Sequence, residues 1–166
     1  MRRLVMTPRP DWKATAEKHG FDFHSPGGTV YWDESACYSF TLGEIEQGLE
    51  APAQELEQMC LALVDEACRS DDILARLQIP QSQWDYLAAS WRAKDRNLYG
   101  RMDFAFDGKG PAKLYEYNAD TPTSLYESAV FQWVWLEEMR DANALPRQAD
   151  QLNSMHERLI AAFRGF

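Results

Sequence analysis

The sequence predicts a helix-rich α/β domain, of the mixed α+β kind, with an antiparallel sheet, and three observations support this class. Two short segments with a hydrophobic period of two follow each other closely and are joined by turn residues, which is typical of a β-hairpin. Several longer segments have apolar residues at spacings of three and four, which is typical of amphipathic helices. The order of these segments is not the regular alternation of strand and helix that builds a doubly wound sheet.

Length and composition set the scale of the domain. The chain has 166 residues, of which 45% are hydrophobic and 13% aromatic. This is enough material for one domain with a core, so residues 1–166 are predicted to form a single domain.

The predicted elements before residue 41 are short. A helix is expected over residues 10–19, because Gly20 ends the pattern. After a turn at residues 26–28, residues 29–40 are rich in β-branched and aromatic types and are interrupted at residues 33–35, which predicts a pair of strands. The aromatic side chains here are interpreted as sheet packing, with stacking on a ligand as the alternative; they are Tyr31, Trp32 and Tyr38.

A long helix is predicted to begin at a capping box, in which Thr41 and Glu44 each satisfy a free N–H group of the first turn. Pro52 lacks a backbone donor, so a kink or a restart is expected near Ala51. One apolar stripe of this helix is expected to face a core; it consists of Leu42, Ile45, Leu49, Leu56, Met59, Cys60, Leu63 and Val64. The acidic remainder, which includes Glu57, is interpreted as a solvated face.

Four further helical segments follow. Ser70 is the predicted cap of a helix that ends near Leu77, and residues 80–92 form the next helix. Beyond the hairpin, residues 125–139 are apolar on nearly every side, which predicts a helix buried between layers. After a break, residues 147–163 are predicted to form an amphipathic helix, with an apolar face made of Leu152, Met155, Leu159, Ile160 and Phe163.

The hairpin between residues 101 and 118 is the most informative part of the chain. Its polar residues alternate with apolar ones; they are Arg101 and Asp103 in the first segment and Glu116 and Asn118 in the second. If Met102, Phe104 and Phe106 share a face with Tyr115 and Tyr117, odd-numbered residues must pair with even-numbered ones. One such register places Asp103 opposite Glu116 and Arg101 opposite Asn118.

This register brings two like charges together. Directly opposed side chains in an antiparallel pair have Cβ atoms roughly 5 Å apart. Two carboxylates at that range repel by about 1 kcal/mol in water and by about 3 to 4 kcal/mol at an effective dielectric constant of 20. Arg101 can offset part of this repulsion, and the hard oxygen donors of Asp103, Glu116 and Asn118 suit Mg²⁺. The spacing alone leaves open a solvated face with an arginine–carboxylate ion pair.

The polar hairpin residues and the run that follows them resemble a known signature. Arg101, the EYNAD run at residues 116–120, Thr121 and Thr123 are similar to the signature of the glutathionylspermidine synthase family, of the stand-alone synthetase type. These proteins are ATP-grasp-type carboxylate–amine ligases related in architecture to glutathione synthetase. The resemblance implies that the chain is the N-terminal, pre-ATP-grasp-like part of such a ligase, and that the C-terminal ATP-grasp portion is absent from it.

The resemblance also implies residue roles. Asp103, Glu116 and Asn118 would hold Mg²⁺ bound to the ATP phosphates, with Asp103 also part of the ATP site. Arg101 would be the catalytic residue, facing both ATP and the substrate carboxylate. Thr121 and Thr123 would hydrogen-bond the glutathione part of the substrate. The order Thr–Pro–Thr–Ser leaves open which hydroxyl of Thr121, Thr123 and Ser124 reaches a ligand, and any of these or Asp120 could instead cap the next helix.

Composition argues against several other classes of protein. A net charge of −9 argues against a nucleic-acid partner, because Lys and Arg supply affinity for phosphate backbones. No apolar run approaches the length of a membrane span and the N-terminal stretch is too short for a signal peptide, so a cytoplasmic location without membrane contact is expected. The three cysteines are expected to be buried thiols, and the three histidines to be non-catalytic; the cysteines are Cys37, Cys60 and Cys68.

The predicted function is that of an ATP-dependent carboxylate–amine ligase in full-length form. By resemblance, it joins glutathione or a similar peptide to a polyamine or another amine through an acyl phosphate, with ATP as co-substrate and Mg²⁺ as cofactor. The chain by itself is expected to be inactive, and self-association into a homo-oligomer is left open. The alternative function is a non-catalytic binding or partner domain that retains the ligase signature.

Overall fold

A computed structural model describes residues 1–121, 123–151 and 154–165. Its four strands are β1 (Arg2–Val5), β2 (Ala36–Ser39), β3 (Gly100–Ala105) and β4 (Lys113–Ala119). Its α-helices are α1 (Trp12–Lys18), α2 (Leu42–Ile45), α3 (Ala51–Ala67), α4 (Asp71–Arg76), α5 (Trp84–Ala93), α6 (Gln132–Asp141) and α7 (Met155–Phe163). The strands form two separate antiparallel pairs, β1–β2 and β3–β4. The fold is therefore helix-rich and mixed α/β with antiparallel sheets, as the sequence predicts.

The chain divides into two compact units. One, here called the hairpin unit, consists of Met1 and Phe40–Asp120. The other, here called the terminal unit, consists of Arg2–Ser39 and Thr121–Phe166.

The hairpin unit begins at the predicted capping box. The Thr41 hydroxyl accepts from the Glu44 amide at 3.3 Å, and the Glu44 carboxylate accepts from the Thr41 amide at 2.7 Å. The helix then widens into a π-helical turn over Glu46–Glu50 before α3 begins at Ala51. The kink or restart expected near Ala51 takes the form of a change from π-helical to α-helical hydrogen bonding at Ala51, and Pro52, which has no N–H group to donate, lies in the first turn of α3.

The apolar stripe of α3 differs from its prediction. Instead of facing a core, Met59 is 61% exposed, Leu63 is 51% exposed and Val64 is 42% exposed. The buried side chains of α3 are Pro52 and Ala67. Apolar periodicity identifies one face of a helix, but it does not supply the partner that would cover that face.

The next two helices follow their predictions. Ser70 caps α4, with its hydroxyl accepting from the Ile73 amide at 3.4 Å. The indole of Trp91 in α5 donates to the Asp65 carboxylate of α3 at 2.7 Å. This bond ties α5 to α3.

The first strand pair corrects the prediction of two strands within residues 29–40. Only Ala36–Ser39 is a strand there, and its antiparallel partner is Arg2–Val5. The Asp33 carboxylate accepts from the Ser35 amide at 2.8 Å and from the Ser35 hydroxyl at 2.9 Å. This local turn takes residues 33–35 out of an extended conformation.

Aromatic side chains build the core of the terminal unit. Phe131 and Ala16 are fully buried, and Phe21 is 4% exposed. The Trp32 ring lies 4.9 Å from the Phe131 ring, centroid to centroid, in an edge-to-face arrangement. Trp32 is partly buried and packs against this core, and it does not lie in a strand. Tyr31 and Tyr38, which the sequence also predicts to pack, are 46% and 58% exposed.

A buried ion pair lies beside this core. The Arg9 guanidinium is 2.5 Å from the Glu34 carboxylate, and the two side chains are 9% and 1% exposed. Glu34 also accepts from the Trp32 indole at 2.9 Å. Arg9 reaches Glu138 at 2.6 Å, and its guanidinium carbon lies 5.5 Å from the centre of the Phe131 ring. Each charge thus has several partners, as a buried charge requires.

The last two helices agree with the prediction in part. The helix predicted over residues 125–139 is divided into a π-helical turn, Glu127–Phe131, and α6, which buries Leu136 and Met139. The final helix begins at Met155 and not at residue 147, because the Ala149 amide donates to the Pro146 carbonyl at 2.9 Å in a turn. The predicted core position Leu152 lies outside the described residues.

Two predictions from composition can be compared with the structure. All three cysteines are free thiols, but they are half-buried rather than buried. Among the residues that the structure describes, no helix is long and apolar enough to cross a membrane.

Candidate functional site

Between Gly100 and Asp103, the β3–β4 hairpin has the one register that the sequence analysis singles out among those it allows. Asp103 pairs with Glu116, and Arg101 pairs with Asn118. One residue further on, Phe104 pairs with Leu114, so Tyr115 is the extra residue of a β-bulge. Tyr115 is 79% exposed and does not share the apolar face of Phe104, which corrects the expected alternation at that position.

The connection between the two strands explains why the hairpin forms here. The Asp107 carboxylate accepts from the Lys109 amide at 2.9 Å, and Gly108 and Gly110 have φ angles of +82° and +69°. Such φ values favour glycine. The Ala112 amide then donates to the Gly48 carbonyl at 2.8 Å, which joins β4 to the π-helical turn before α3.

Arg101 is the electrostatic centre of the polar face. Its Nε donates to Asp103 Oδ1 at 2.9 Å and its Nη2 to Asp103 Oδ2 at 3.3 Å, a fork-like contact with both carboxylate oxygens. Its Nη2 also lies 3.9 Å from Glu116 Oε1. The hydrogen bond to Asp103 raises the pKa of Arg101. The guanidinium thus offsets the repulsion between the opposed carboxylates.

The remaining two groups of this face are coupled to each other. The Asn118 side-chain amide donates to Glu116 Oε1, so the amide oxygen is the Asn118 atom that remains for a cation. The side chains of Arg101, Asp103 and Glu116 are 32%, 45% and 57% exposed. The structure therefore brings four of the predicted site residues together on an accessible face. We call Arg101, Asp103, Glu116 and Asn118 the polar face.

The polar face fits a Mg²⁺ ion by its donor chemistry. It offers two carboxylates and one amide oxygen, which are hard ligands, and Mg²⁺ usually takes one or two protein carboxylates and keeps water or phosphate in its other positions. Within the described ranges, no group of three or more His, Cys, Asp or Glu side chains is arranged to hold a metal. The polar face has only two side chains of these types, Asp103 and Glu116, and its third oxygen donor is the amide of Asn118.

A helix supports the hairpin from the side opposite the polar face. The Tyr117 hydroxyl donates to Glu57 of α3. This hydrogen bond raises the pKa of Tyr117 to about 12. A Cβ atom on Gly100 would lie 2.7 Å from the Tyr117 ring, so glycine is required for the ring to lie there. The sequence interpretation of Glu57 as part of a solvated face missed this contact, and no local signal in the sequence marks it.

Asp120 has a structural role that the sequence interpretation also missed. Its Oδ1 accepts from the amides of Leu98 and Tyr99 at 3.1 and 3.3 Å, so its carboxylate binds the chain that leads into β3. At the start of the following helical segment, the Ser124 carbonyl accepts from the Ser128 amide at 3.2 Å.

The two threonines belong to the terminal unit and are exposed. The Thr123 amide donates to the Thr121 carbonyl at 2.8 Å. A substrate contact for either hydroxyl remains a prediction.

Comparisons with known proteins agree with the resemblance. A family described as glutathionylspermidine synthase preATP-grasp matches residues 3–166. A protein of Haemophilus influenzae named for acid–amine ligase activity is 39% identical over 99% of this chain, and the match covers 41% of that protein. The bifunctional glutathionylspermidine synthetase/amidase of Escherichia coli is 33% identical over 78% of the chain, and the match covers 21% of it. The trypanothione synthetase of Crithidia fasciculata is 29% identical over 50% of the chain, and the match covers 13% of it. The chain thus spans less than half the length of these relatives.

Proposed function

Because the chain belongs to the glutathionylspermidine synthase preATP-grasp family, we propose that it is part of an ATP-dependent ligase that joins a carboxylate to an amine. In this reaction the carboxylate attacks the γ-phosphorus of ATP, ADP leaves, and an acyl phosphate forms. The amine nitrogen then attacks the acyl carbon, phosphate leaves, and the nitrogen loses a proton to give the amide. We propose a glutathione-like peptide as the acid substrate, a polyamine or another amine as the second substrate, and the cytoplasm as the location.

The observation that carries the proposal is the β3–β4 register. It places Arg101 beside Asn118 and Asp103 beside Glu116, on an accessible face of the hairpin. Without a cation, the two opposed carboxylates would repel each other, and Arg101 supplies only one positive charge. An additional cation and an anionic substrate suit this arrangement.

The roles of the polar face follow from its chemistry. Asp103, Glu116 and Asn118 would hold Mg²⁺, which, when bound with ATP, neutralises charge on the phosphates. Arg101 can present a planar fork of donors to a carboxylate or a phosphate, and it would align the reacting carboxylate with ATP. Thr121 and Thr123 would hydrogen-bond the peptide part of the acid substrate.

None of these residues needs to act as a nucleophile or a base. Phosphoryl transfer depends mainly on positioning and on stabilisation of the charge that develops. The main work of the polar face is therefore to hold two anions together in the correct orientation. The net charge of −9 is compatible with a polycationic amine substrate.

The experiment that tests this function uses the full-length natural protein that contains this chain. We would supply Mg²⁺ and ATP with a panel of acid and amine pairs, among them glutathione with spermidine, and measure phosphate release and amide formation by mass spectrometry. Glu116→Gln is the variant to compare with wild type, because it keeps the shape of the side chain and removes its charge. ATP-dependent amide formation with at least one pair, lost in Glu116→Gln, would support the ligase. No ATP turnover with any pair would favour the non-catalytic partner domain.

A further inference from the structure

We propose that Asp120 is a positioning residue that fixes the open end of the β3–β4 hairpin and thereby sets the Arg101–Asn118 pair. Asp120 is not itself a member of the polar face. It acts through the backbone of Leu98 and Tyr99, and we call this arrangement the Asp120 clamp. The consequence for catalysis rests on the proposed function, whereas the clamp itself does not.

Three hydrogen bonds form the clamp. Oδ1 of Asp120 accepts from the amides of Leu98 and Tyr99 at 3.1 and 3.3 Å. The Asp120 amide donates to the Tyr99 carbonyl at 2.6 Å. One residue therefore binds the chain before β3 through both its side chain and its backbone. These bonds continue the strand pairing beyond Gly100 and Ala119, which form the last pair of the ladder.

The backbone conformation of Asp120 restricts which residue can make these bonds. Its φ angle is +51°, in the left-handed region that most side chains disfavour and that aspartate and asparagine tolerate. The residue at this position must therefore tolerate this φ angle and carry a short side chain with an acceptor oxygen. Asparagine meets both requirements, glycine meets only the first, and alanine meets neither.

The clamp lies close to the polar face along the hairpin. Only the Gly100–Ala119 pair separates it from the Arg101–Asn118 pair. Gly100 has no side chain to hold its strand in place, and glycine loses more conformational freedom on folding than other residues. At the other end, the hairpin is held by the bond from Ala112 to Gly48. Register matters here, because a shift of one residue would turn the polar side chains to the opposite face.

Fixing this end would keep the Asn118 amide beside Glu116 and the Arg101 guanidinium beside Asp103. Without the clamp, the end of the ladder would open more often, and the donors would spend less time in the arrangement that suits a cation. We therefore expect loss of the clamp to weaken the response to Mg²⁺ more than it affects the folded state.

The test compares Asp120→Asn, Asp120→Gly and Asp120→Ala in the full-length protein. In Asp120→Gly, amide hydrogen exchange at Leu98 and Tyr99 should become at least tenfold faster, and the Mg²⁺ concentration for half-maximal rate should rise at least fivefold. Asp120→Asn should stay within twofold of wild type in both measurements. Asp120→Ala should resemble Asp120→Gly in both measurements. It should also melt at a lower temperature, because alanine at this φ angle adds backbone strain.

Asp107 provides the matched control. Its carboxylate also accepts from a backbone amide, that of Lys109, but at the far end of the same hairpin. Asp107→Ala should leave exchange at Leu98 and Tyr99 and the Mg²⁺ requirement within twofold of wild type. Equal effects of Asp107→Ala and Asp120→Ala on the Mg²⁺ requirement would overturn the positioning role, because general destabilisation of the hairpin would then explain both.

Two further outcomes separate this inference from the proposed function. An Asp120→Gly protein that loses amide protection but keeps its rate and Mg²⁺ requirement within twofold of wild type would overturn the positioning role alone. If the wild-type protein turns over no ATP, the proposed function fails. NMR measurements of the Asn118 side-chain amide resonances and of amide exchange at Leu98 and Tyr99 then test the clamp without any activity assay. Resonances that move in Asp120→Gly and return in Asp120→Asn would support the clamp, and unchanged resonances would overturn it.

Discussion

Asp103 and Glu116 are cross-strand partners, and the guanidinium of Arg101 lies 2.9 Å from the first carboxylate and 3.9 Å from the second. Two negative charges and one positive charge therefore share a small, accessible face. The arrangement has a net negative charge that a divalent cation can balance, and it has an arginine fork that an anionic substrate can bind.

Loss of any one oxygen donor of the polar face should reduce turnover strongly. Asp103→Asn, Glu116→Gln and Asn118→Ala in the full-length protein are each expected to lower kcat by about a hundredfold or more, as when a group that stabilises the transition state is removed. Steady-state kinetics at saturating Mg²⁺ and ATP, with circular dichroism to monitor folding, would measure this. Rates within threefold of wild type for all three variants would contradict the metal-binding role and support the alternative of a solvated hairpin face.

Arg101→Lys separates two roles of the arginine. If Arg101 only balances charge, lysine should substitute well, because a point charge is sufficient for that. We expect it to fail, since an ammonium group cannot make the two parallel bonds of a guanidinium. The KM for the acid substrate should rise about tenfold or more, or about 1.4 kcal/mol. Unchanged KM values for both ATP and the acid substrate would reduce Arg101 to a charge balancer.

The exposed apolar stripe of α3 should cause association of the isolated 166-residue chain, which we also expect to lack ATP turnover. Met59 and Leu63 are one helical turn apart and are 61% and 51% exposed. Met59→Gln combined with Leu63→Gln should shift the chain toward monomer in size-exclusion chromatography with light scattering. Val30→Gln, at a residue 55% exposed in the terminal unit, is the control and should change little. A wild-type chain that is monomeric and turns over ATP would contradict this prediction.

The Tyr117–Glu57 contact should make stability depend on pH in the alkaline range. The pKa of Tyr117 is about 12 in the folded protein, and that of an unfolded tyrosine is about 10. Between these values the folded state keeps a proton that the unfolded chain releases, so the free energy of unfolding should fall as pH rises. Below about pH 10 the Tyr117–Glu57 contact makes its full contribution to the free energy of unfolding. Urea unfolding at several pH values would show this slope, which Tyr117→Phe should reduce and the exposed-site control Tyr115→Phe should not.

The buried ion pair of the terminal unit should be sensitive to removal of one partner. Glu34→Ala leaves Arg9 buried without its main partner and should cost about 3 to 5 kcal/mol of unfolding free energy. Glu138→Ala removes the contact of a side chain that is 46% exposed and should cost about 0 to 1 kcal/mol. A double replacement of Arg9 and Glu34 by Met and Leu should recover only part of the loss, because the Trp32 indole and the Arg9 amide then lack their acceptor. Equal effects of Glu34→Ala and Glu138→Ala in urea denaturation would contradict this account.

The sequence by itself determined the features that depend on neighbouring residues. The capping box at Thr41, the helix boundary near Pro52 and the alternation of polar and apolar residues in β3 follow from hydrogen bonds and side-chain periods within short segments. Such local preferences act in any fold that contains the segment. The residues of the polar face can therefore be identified from the residue pattern of the hairpin alone, although their functional roles remain predictions.

Only the tertiary structure decided which distant groups meet. It paired Ala36–Ser39 with Arg2–Val5, brought Glu57 to Tyr117, and directed the Asp120 carboxylate to the chain before β3. It also left the α3 stripe exposed, although the same period would suit a buried helix. Each of these outcomes depends on which surfaces the whole chain brings together. A periodic pattern records that a face is apolar or polar, but the identity of the group opposite that face is set by contacts between residues far apart in the sequence.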